Sequence, residues 1–181
     1  PVSGFISGVD FSHALYCEQQ SEMPPELLDE FFYSDEAAAG ALRSQLAVKE
    51  DWVARWPTLS FGERKRLQLA IALWREPALL VLDEPVNHLD ISAKRLIVDA
   101  LRRYRGTGIV VAHDRGFLDA LCANCLFVRP GGIVMRPGNY SEALAQQKLE
   151  DRANEERYAQ MLDLAKKADD TARAMKRRES A

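Results

Sequence analysis

The chain has 181 residues, of which 47% are hydrophobic and 28% charged, and its formal net charge is −3. This length and composition are typical of one globular domain and exclude a fibrous protein, a disordered tail and a small disulfide-stabilised scaffold. The apolar runs are short, so none reaches the roughly 20 residues that a membrane-spanning helix needs. The near-neutral charge gives no global argument for nucleic-acid binding, and any basic patch must be local.

Between residues 20 and 58 the chain is rich in Glu, Asp, Leu and Ala, with Pro24 and Pro25 near the start of the segment. It contains no apolar run typical of a buried strand. This texture predicts a small, mostly helical insert.

Beyond Gly62, helices and strands alternate regularly. Apolar residues at helical spacing mark the helices, and short all-apolar runs mark strands that are buried on both faces, as parallel strands are. Helices are predicted over residues 64–74, 92–104 and 117–123, and strands over 78–82, 109–112 and 126–128. Strands and helices in this order predict an α/β fold with a parallel sheet flanked by helices.

The last part of the chain no longer alternates between strands and helices. A Pro-Gly-Gly turn at 130–132 leads to a strand at 133–135, and after Gly138 the sequence is helical to its end. The final helix carries a thin apolar stripe, too weak for a well-specified coiled coil, so we expect it to pack on a partner surface. Its last turns hold the one marked basic cluster of the sequence, which is either a solvated helix face or an RNA contact: Arg173, Lys176, Arg177 and Arg178.

The cysteines indicate a reducing environment. Cys17, Cys122 and Cys125 are an odd number in a chain long enough to bury a core without disulfides, which favours a cytoplasmic location. Cys122 and Cys125 form a single Cys-x-x-Cys pair, with no second pair or histidine at zinc-ligand spacing. We therefore expect core cysteines at a junction between a helix and a strand. No signal peptide opens the chain, and its first residue, Pro1, suggests a fragment or a processed product.

Two consecutive carboxylates follow the first predicted central strand. Asp83 and Glu84 end the apolar run 79–82, and ligands bind at the carboxyl ends of strands in parallel α/β sheets. This is the Walker B arrangement, in which the first carboxylate can hold Mg²⁺ and the second can orient or deprotonate an attacking water. Because adjacent strand residues point to opposite faces, the two acids must serve different tasks. The plainer interpretation is a strand followed by acidic residues that cap a helix.

Three neighbouring motifs favour the chemical interpretation. Leu-Ser-Phe-Gly-Glu-Arg occupies 59–64, Asn-His-Leu-Asp occupies 87–90, and His-Asp-Arg-Gly-Phe-Leu-Asp occupies 113–119. In this order they resemble, together with Walker B, the signature motif, the D-loop and the switch histidine of the ATP-binding cassette (ABC) superfamily. The forms of the D-loop and of the histidine motif are similar to those of its ABC-F family rather than to those of transporter subunits.

The resemblance extends to both ends of the chain. Tyr-Cys-Glu-Gln at 16–19 is similar to the Q-loop, Pro-Val-Ser-Gly-Phe-Ile at 1–6 to the piece after the Walker A helix, and Gly-Asn-Tyr-Ser at 138–141 to the end of a first ABC-F cassette. It implies a partial P-loop-type nucleotide-binding domain over 1–139, with a helical subdomain at 20–58, and an interdomain linker helix over 140–181.

The resemblance also implies ATP and Mg²⁺ as cofactors. Asp83 and Gln19 would contact the metal, Glu84 would be the catalytic base, and His113 would sense the γ-phosphate, so that Glu84, His113 and Gln19 form the catalytic group. The Walker A loop that should hold the β- and γ-phosphates is absent, since none of the ten glycines is followed by lysine. We expect truncation rather than degeneration, and no ATPase activity from this chain alone.

The signature residues would act on a second cassette, in the same full-length chain or in a dimer mate. Ser60, Gly62 and Glu63 would contact the ATP of that cassette, because a hydroxyl, a close backbone and a helix N-terminus suit a phosphate. Ser60 and Glu63 also predict a helix-capping box, and both interpretations can hold together. Phe61 replaces the customary glycine and places a bulky ring in a loop that should approach nucleotide.

The D-loop implies contact between cassettes. Asn87 and Asp90 belong to this loop, and Asp90 would bridge the two cassettes, while Val86 replaces the usual threonine. His88 lies inside the same loop and is a weaker candidate.

The leading hypothesis is an ABC-F ATPase fragment whose parent acts on the ribosome, in translation or antibiotic resistance, with the basic cluster of the last helix on ribosomal RNA phosphates. The short insert favours a resistance-type branch without the extra arm. An alternative is the nucleotide-binding subunit of an ABC transporter, with a membrane partner near the Q-loop. Two further alternatives are a chromosome-maintenance or repair ATPase head and a noncatalytic dimerisation fragment.

Overall fold

The computed structural model describes residues 13–19, 23–130 and 132–179, with side chains as far as residue 167. The chain divides into two compact units, Pro1–Cys122 and Ala123–Ala181. The predicted boundary at 139/140 therefore falls inside the second unit.

The first unit contains three strands and five α-helices among its described residues. They are β1 Ala14–Cys17, α1 Leu28–Tyr33, α2 Ala37–Gln45, α3 Phe61–Trp74, β2 Leu79–Asp83, α4 Ile91–Leu101, β3 Thr107–Val111 and α5 Arg115–Leu121. The strands form a parallel sheet in the order β1-β2-β3. The predicted parallel α/β fold is thus confirmed, and β1, for which no strand was predicted, adds a third strand to it.

Helix α3 is the centre of the first unit. It packs against α1, α2, α4 and β1, and its apolar residues join a buried core that includes Phe31, Trp52, Leu67, Leu80 and Ile97. Burial of such large apolar side chains is the main source of stability in a domain of this size. The core therefore lies between the sheet, α3 and the helical insert.

The insert is helical, as predicted. In the described residues 23–58 it contains α1, α2 and two short 3₁₀ turns, Glu50–Trp52 and Trp56–Thr58, and no strand. Arg43 fastens α2 to α1 by donating to the carbonyl oxygens of Phe31 and Ser34, at 2.6 and 3.2 Å. The indole of Trp74 at the end of α3 donates to the Glu36 carboxylate at 2.8 Å, so the insert is fixed to α3.

Strand β3 differs from its prediction. The run 109–112 was expected to be buried on both faces, but Ile109 is 42% and Val111 57% exposed. In the described sheet β3 pairs with β2 on one side, and it is an edge strand. The expectation of full burial was wrong because an edge strand lacks a neighbour that would cover part of its surface.

The second unit is a hairpin followed by a long helix. Strands β4 Asn124–Arg129 and β5 Gly132–Pro137 pair antiparallel, and α6 Tyr140–Glu179 follows. The interpretation of the run 126–128 as the third strand of the parallel sheet was wrong. A short turn between β4 and β5 permits only antiparallel pairing, since a parallel crossover needs about a dozen residues or more.

Two arginines fasten α6 to the hairpin of the second unit. Arg136 is buried and makes a two-pronged contact with Glu150, at 2.6 and 2.5 Å, while its Nε donates to Gln147 at 2.9 Å. Arg129 forms a similar pair with Asp151, with both N···O distances 3.0 Å. The first three turns of α6 are thereby fixed in register on β4 and β5.

The three cysteines lie at buried or partly buried positions, whereas the apolar stripe of α6 is exposed where its side chains are described. Cys17 and Cys125 are buried and Cys122 is partly buried, and no disulfide forms between them. Between residues 152 and 167 of α6, large apolar side chains are exposed, including Tyr158, Met161 and Leu164. No described helix is both long enough and apolar enough to cross a bilayer.

Candidate functional site

The predicted catalytic pair meets where β2 and β3 end. Asp83 is paired with Val111 in the parallel register, so Glu84 and His113 leave the sheet side by side. The backbone N–H of His113 donates to Glu84 Oε2, and His113 Nε2 lies 3.4 Å from Glu84 Oε1. The structure therefore brings together two residues that are 29 positions apart in sequence.

Glu84 is held in a strained, buried position. Its residue is only 8% exposed, its φ is +44°, and its N–H donates to the Val111 carbonyl at 2.8 Å. A non-glycine residue in this left-handed region costs about 1 kcal/mol or more and is common at active sites. The His113 side chain, by contrast, is 97% exposed. The arrangement gives a fixed carboxylate with a solvent-facing imidazole at its rim.

Asp83 contacts a residue of β1, the strand on the other side of β2 from β3. The hydroxyl of Tyr16 on β1 donates to Asp83 Oδ2 at 3.1 Å, and this hydrogen bond raises the pKa of Tyr16. Tyr16 pairs with Val81, two positions before Asp83, so both side chains lie on one face of the sheet. Asp83 and Glu84 thus have different partners, and their different tasks stay a prediction. Tyr16 was missed as a site residue, although period-two register across neighbouring strands could have found it.

Gln19 leaves the same edge of the sheet. Cys17 at the end of β1 pairs with Leu82, and Gln19 follows two positions later as an exposed residue. Carboxylate and amide oxygens are ligands that Mg²⁺ accepts, and Mg²⁺ usually keeps several waters beside one or two protein ligands. The described residues contain no group of three or more His, Cys, Asp or Glu side chains that could hold a metal. The contact of Asp83 and Gln19 with a Mg²⁺ ion that is shared with phosphates and water stays a prediction.

The signature segment forms the predicted capping box. Ser60 precedes α3, its Oγ accepts from the Glu63 N–H at 3.3 Å, and its own N–H donates to Glu63 Oε2 at 2.8 Å. That backbone donation is the main reason why the pKa of Glu63 is lowered. Helix α3 therefore begins at Phe61, three residues before the predicted start, because the capping box at Ser60 satisfies the free N–H groups of the first turn.

Gly62 and Phe61 both face the D-loop. A Cβ on Gly62 would lie 3.1 Å from Leu89 Cδ2, so this glycine allows close packing of α3 on the loop. The Phe61 ring stands edge-on to the His88 ring at a centroid distance of 6.3 Å. The bulky ring therefore belongs to the first turn of α3 and contacts the D-loop, a placement that the sequence did not predict.

The D-loop is a tight bend that ends in a helix cap. The N–H of Asn87 donates to the Glu84 carbonyl at 3.2 Å, and His88 has a φ of +57°. Asp90 Oδ1 accepts from the Ala93 N–H at 2.8 Å and thereby caps α4. Within this unit, Asp90 thus supports its own helix. Its predicted bridge to a second cassette stays a prediction.

An ion pair braces the loop that carries His113. Lys94 on α4 lies 2.6 Å from Asp114, which also accepts from the Phe117 N–H and caps α5. The Lys94 hydrogen bond is the main cause of the lowered pKa of Asp114. Neither role was predicted, although an aspartate directly before a helix is a capping signal.

The basic cluster can be placed only along the backbone. Arg173, Lys176, Arg177 and Arg178 belong to the last turns of α6, but their side chains lie outside the described residues. Their expected RNA contacts therefore stay a prediction.

Comparison with known proteins finds a family that part of the chain matches. Residues 11–87 match the family model described as ABC transporter, a range that includes the Q-loop, signature and Walker B motifs. Over this range the chain matches the ATP-binding cassette superfamily. The resemblance inferred from the four motifs is confirmed.

ABC-F proteins are among the curated relatives to which part of this chain is similar. It is 39% identical over 129 residues to ABC transporter F family member 2 of Arabidopsis thaliana, covering 70% of this chain and 19% of the relative. It is 43% identical over 104 residues to the tylosin resistance ATP-binding protein TlrC of Streptomyces fradiae, covering 58% of this chain and 19% of that relative. It is 39% identical over 123 residues to the energy-dependent translational throttle protein EttA of Escherichia coli K12, covering 67% of this chain and 21% of that relative. The chain spans about a fifth of the length of these relatives.

A solved structure supports the fold. A dimeric ATP-binding cassette in a post-hydrolysis state, bound to ADP and Pi, matches with a TM-score of 0.55 at 19% identity, covering 68% of this chain and 62% of that one. At this identity the likeness shows the ABC ATPase fold alone.

Proposed function

We propose that this cassette is part of a cytoplasmic ABC-F ATPase that binds ATP with Mg²⁺, hydrolyses it and acts on the ribosome. The observation that carries the ATPase proposal is the contact between Glu84 and His113 at the ends of β2 and β3. The ribosomal proposal rests on two relatives whose names refer to translational throttling and tylosin resistance.

Glu84 is the proposed general base. Its carboxylate is buried and fixed from the His113 side, so it can orient a water and accept its proton without first reorganising. His113 is exposed at the rim, where its imidazole can donate a hydrogen bond to a terminal phosphate oxygen. Bound Mg²⁺ would neutralise phosphate charge, and Asp83 and Gln19 would hold it.

The signature residues are proposed to serve a second cassette. Ser60 is exposed at the N-terminus of α3, and Gly62 keeps the first turn small. Backbone N–H groups at a helix start attract phosphate through hydrogen bonding and the helix dipole. Glu63 fixes this turn through the capping box, while Asn87 and Asp90 lie on the adjoining D-loop. The second cassette would lie in the same full-length chain or in a dimer mate.

The 181 residues contain no glycine followed by lysine, so a Walker A lysine is missing from them. We therefore expect no ATP turnover from this chain alone. Residues 140–181 are proposed as the linker helix, and Arg173, Lys176, Arg177 and Arg178 as its contacts with RNA phosphates.

Ribosome co-sedimentation tests this function. In the longest natural chain that contains this sequence, Glu84→Gln should block hydrolysis and hold the protein on ribosomes in ATP but not in ADP. Glu30→Gln is the matched control, because it removes the same charge from an exposed position on α1. Recovery of Glu84→Gln with membranes instead of ribosomes would contradict the proposal and favour a transporter subunit.

A further inference from the structure

Lys65 is a buried cation that the proposed mechanism does not use. It stands in the second turn of α3 and is 1% exposed. Lysine is almost never fully buried unless it is paired, because its ammonium loses hydration that must be replaced. Burial accordingly lowers the pKa of Lys65. A residue with this cost needs partners that explain its position.

The partners of Lys65 come from the Q-loop and from its own helix. Its Nζ donates to the Glu18 carbonyl oxygen at 2.5 Å and to Gln68 Oε1 at 3.0 Å. The Nζ also lies 5.8 Å from the centroid of the Phe61 ring. The ammonium therefore joins the backbone just before Gln19 to the first two turns of α3.

The surrounding charges support a cation at this point. Asp83 and Glu18 both attract the Lys65 ammonium and so oppose the lowering of its pKa. Cys17 is buried nearby, and burial raises the pKa of its thiol to about 11, so it is neutral at pH 7. The negative charge that faces Lys65 therefore comes from Asp83 and Glu18, and Asp83 is the proposed metal contact.

We propose that Lys65 is a positioning residue that ties the Gln19 loop to the signature helix, so that both move as one element. Charge-assisted hydrogen bonds in a low-dielectric interior are strong and directional, and the Glu18 carbonyl has little freedom while this bond holds. The inference rests on the proposed ATPase function. There Gln19 serves one ATP and Ser60 serves the other, so Lys65 would link the two nucleotide sites.

The test compares Lys65→Met with Lys49→Met in the longest natural chain. Methionine keeps the length and apolar stem of lysine but cannot donate a hydrogen bond. Lys49→Met removes the same charge from an exposed position in the same unit. For Lys65→Met we expect amide exchange in residues 13–19 and 61–68 to accelerate together by about tenfold. We also expect the half-saturating Mg²⁺ concentration for ATP hydrolysis to rise about fivefold or more, while ATP affinity changes less than twofold. Lys49→Met should leave all three unchanged.

Unchanged exchange in residues 13–19, with an unchanged Mg²⁺ dependence, would overturn the proposal. Faster exchange throughout the first unit would also overturn it, because that result shows a purely structural role. If Lys65→Met does not fold, Lys65→Gln replaces it, since its amide can still donate, and the same two segments should show a smaller joint acceleration. If the wild-type protein hydrolyses no ATP, the proposed function fails, and the exchange measurements still decide the role of Lys65.

Discussion

Removal of the Ser60 hydroxyl separates its helix-capping role from its proposed nucleotide role. In the structure Oγ accepts from the Glu63 N–H at 3.3 Å and donates to Glu63 Oε2 at 2.9 Å. Ser60→Ala deletes both contacts and keeps the backbone donation from residue 60 to Glu63 at 2.8 Å. Loss of an N-cap side chain costs about 1 kcal/mol.

Native-state hydrogen exchange measures this loss locally. About 1 kcal/mol corresponds to a roughly fivefold faster exchange of the first-turn amides of α3, because a tenfold change is about 1.4 kcal/mol. Ser60→Asn is the matched variant, since asparagine caps as well as serine but has no hydroxyl. We expect Ser60→Asn to exchange like the wild type and to lose ATPase activity as Ser60→Ala does.

Two results would refute this reasoning. Equal exchange in Ser60→Ala and the wild type would show that the Ser60 hydroxyl contributes nothing to the cap. Equal acceleration in Ser60→Ala and Ser60→Asn would show that the cap requires the hydroxyl itself. The box also has a pH dependence. Because the folded pKa of Glu63 is lowered from 4.5, its contribution is present above that value and is lost as the pH falls through the lower folded pKa.

Two further predictions concern ion pairs. The pKa of Asp114 is lowered from 3.8, mainly by Lys94, so this pair stabilises the fold above that value and the stability is lost as the pH falls through the folded pKa. Lys94→Met should therefore shift the midpoint of acid unfolding, followed by circular dichroism, to higher pH. An unchanged midpoint would refute this role of Lys94. In the second unit, Arg136 is buried whereas Arg129 is partly exposed, and exposed pairs contribute only about 0.2–1 kcal/mol. Arg136→Met should therefore accelerate amide exchange in residues 140–151 several times more than Arg129→Met, and equal effects would contradict this.

The local signals of the first unit were sufficient to predict helices α3, α4 and α5 and strands β2 and β3. The apolar run before Asp83, the helical spacing after Ser60 and the paired acids at the strand end each depend on neighbours within a few residues. These signals determine the order of strands and helices, and parallel pairing then places Glu84 and His113 at one edge. The family motifs added the roles that spacing alone could not assign.

The features that could not be predicted depend on residues far apart in sequence. Lys65 is charged and was not expected in the core, because its partner is the backbone of Glu18, 47 positions away. The strand β4 was assigned to the parallel sheet because its composition does not reveal its pairing partner. Phe61 was assigned to a nucleotide-facing loop because its contact with His88 exists only once α3 and the D-loop have folded.

The proposed role of Glu84 as the general base is tested by measuring ATP binding and hydrolysis of Glu84→Gln in the full-length protein that contains this sequence. Glutamine keeps the size of the side chain but cannot accept a proton as a base, and a general base contributes about 10²–10⁴-fold to a rate. We expect ATP affinity within about twofold of the wild type and hydrolysis reduced by about a hundredfold or more, with Glu30→Gln unchanged. Hydrolysis by Glu84→Gln at the wild-type rate would contradict this role.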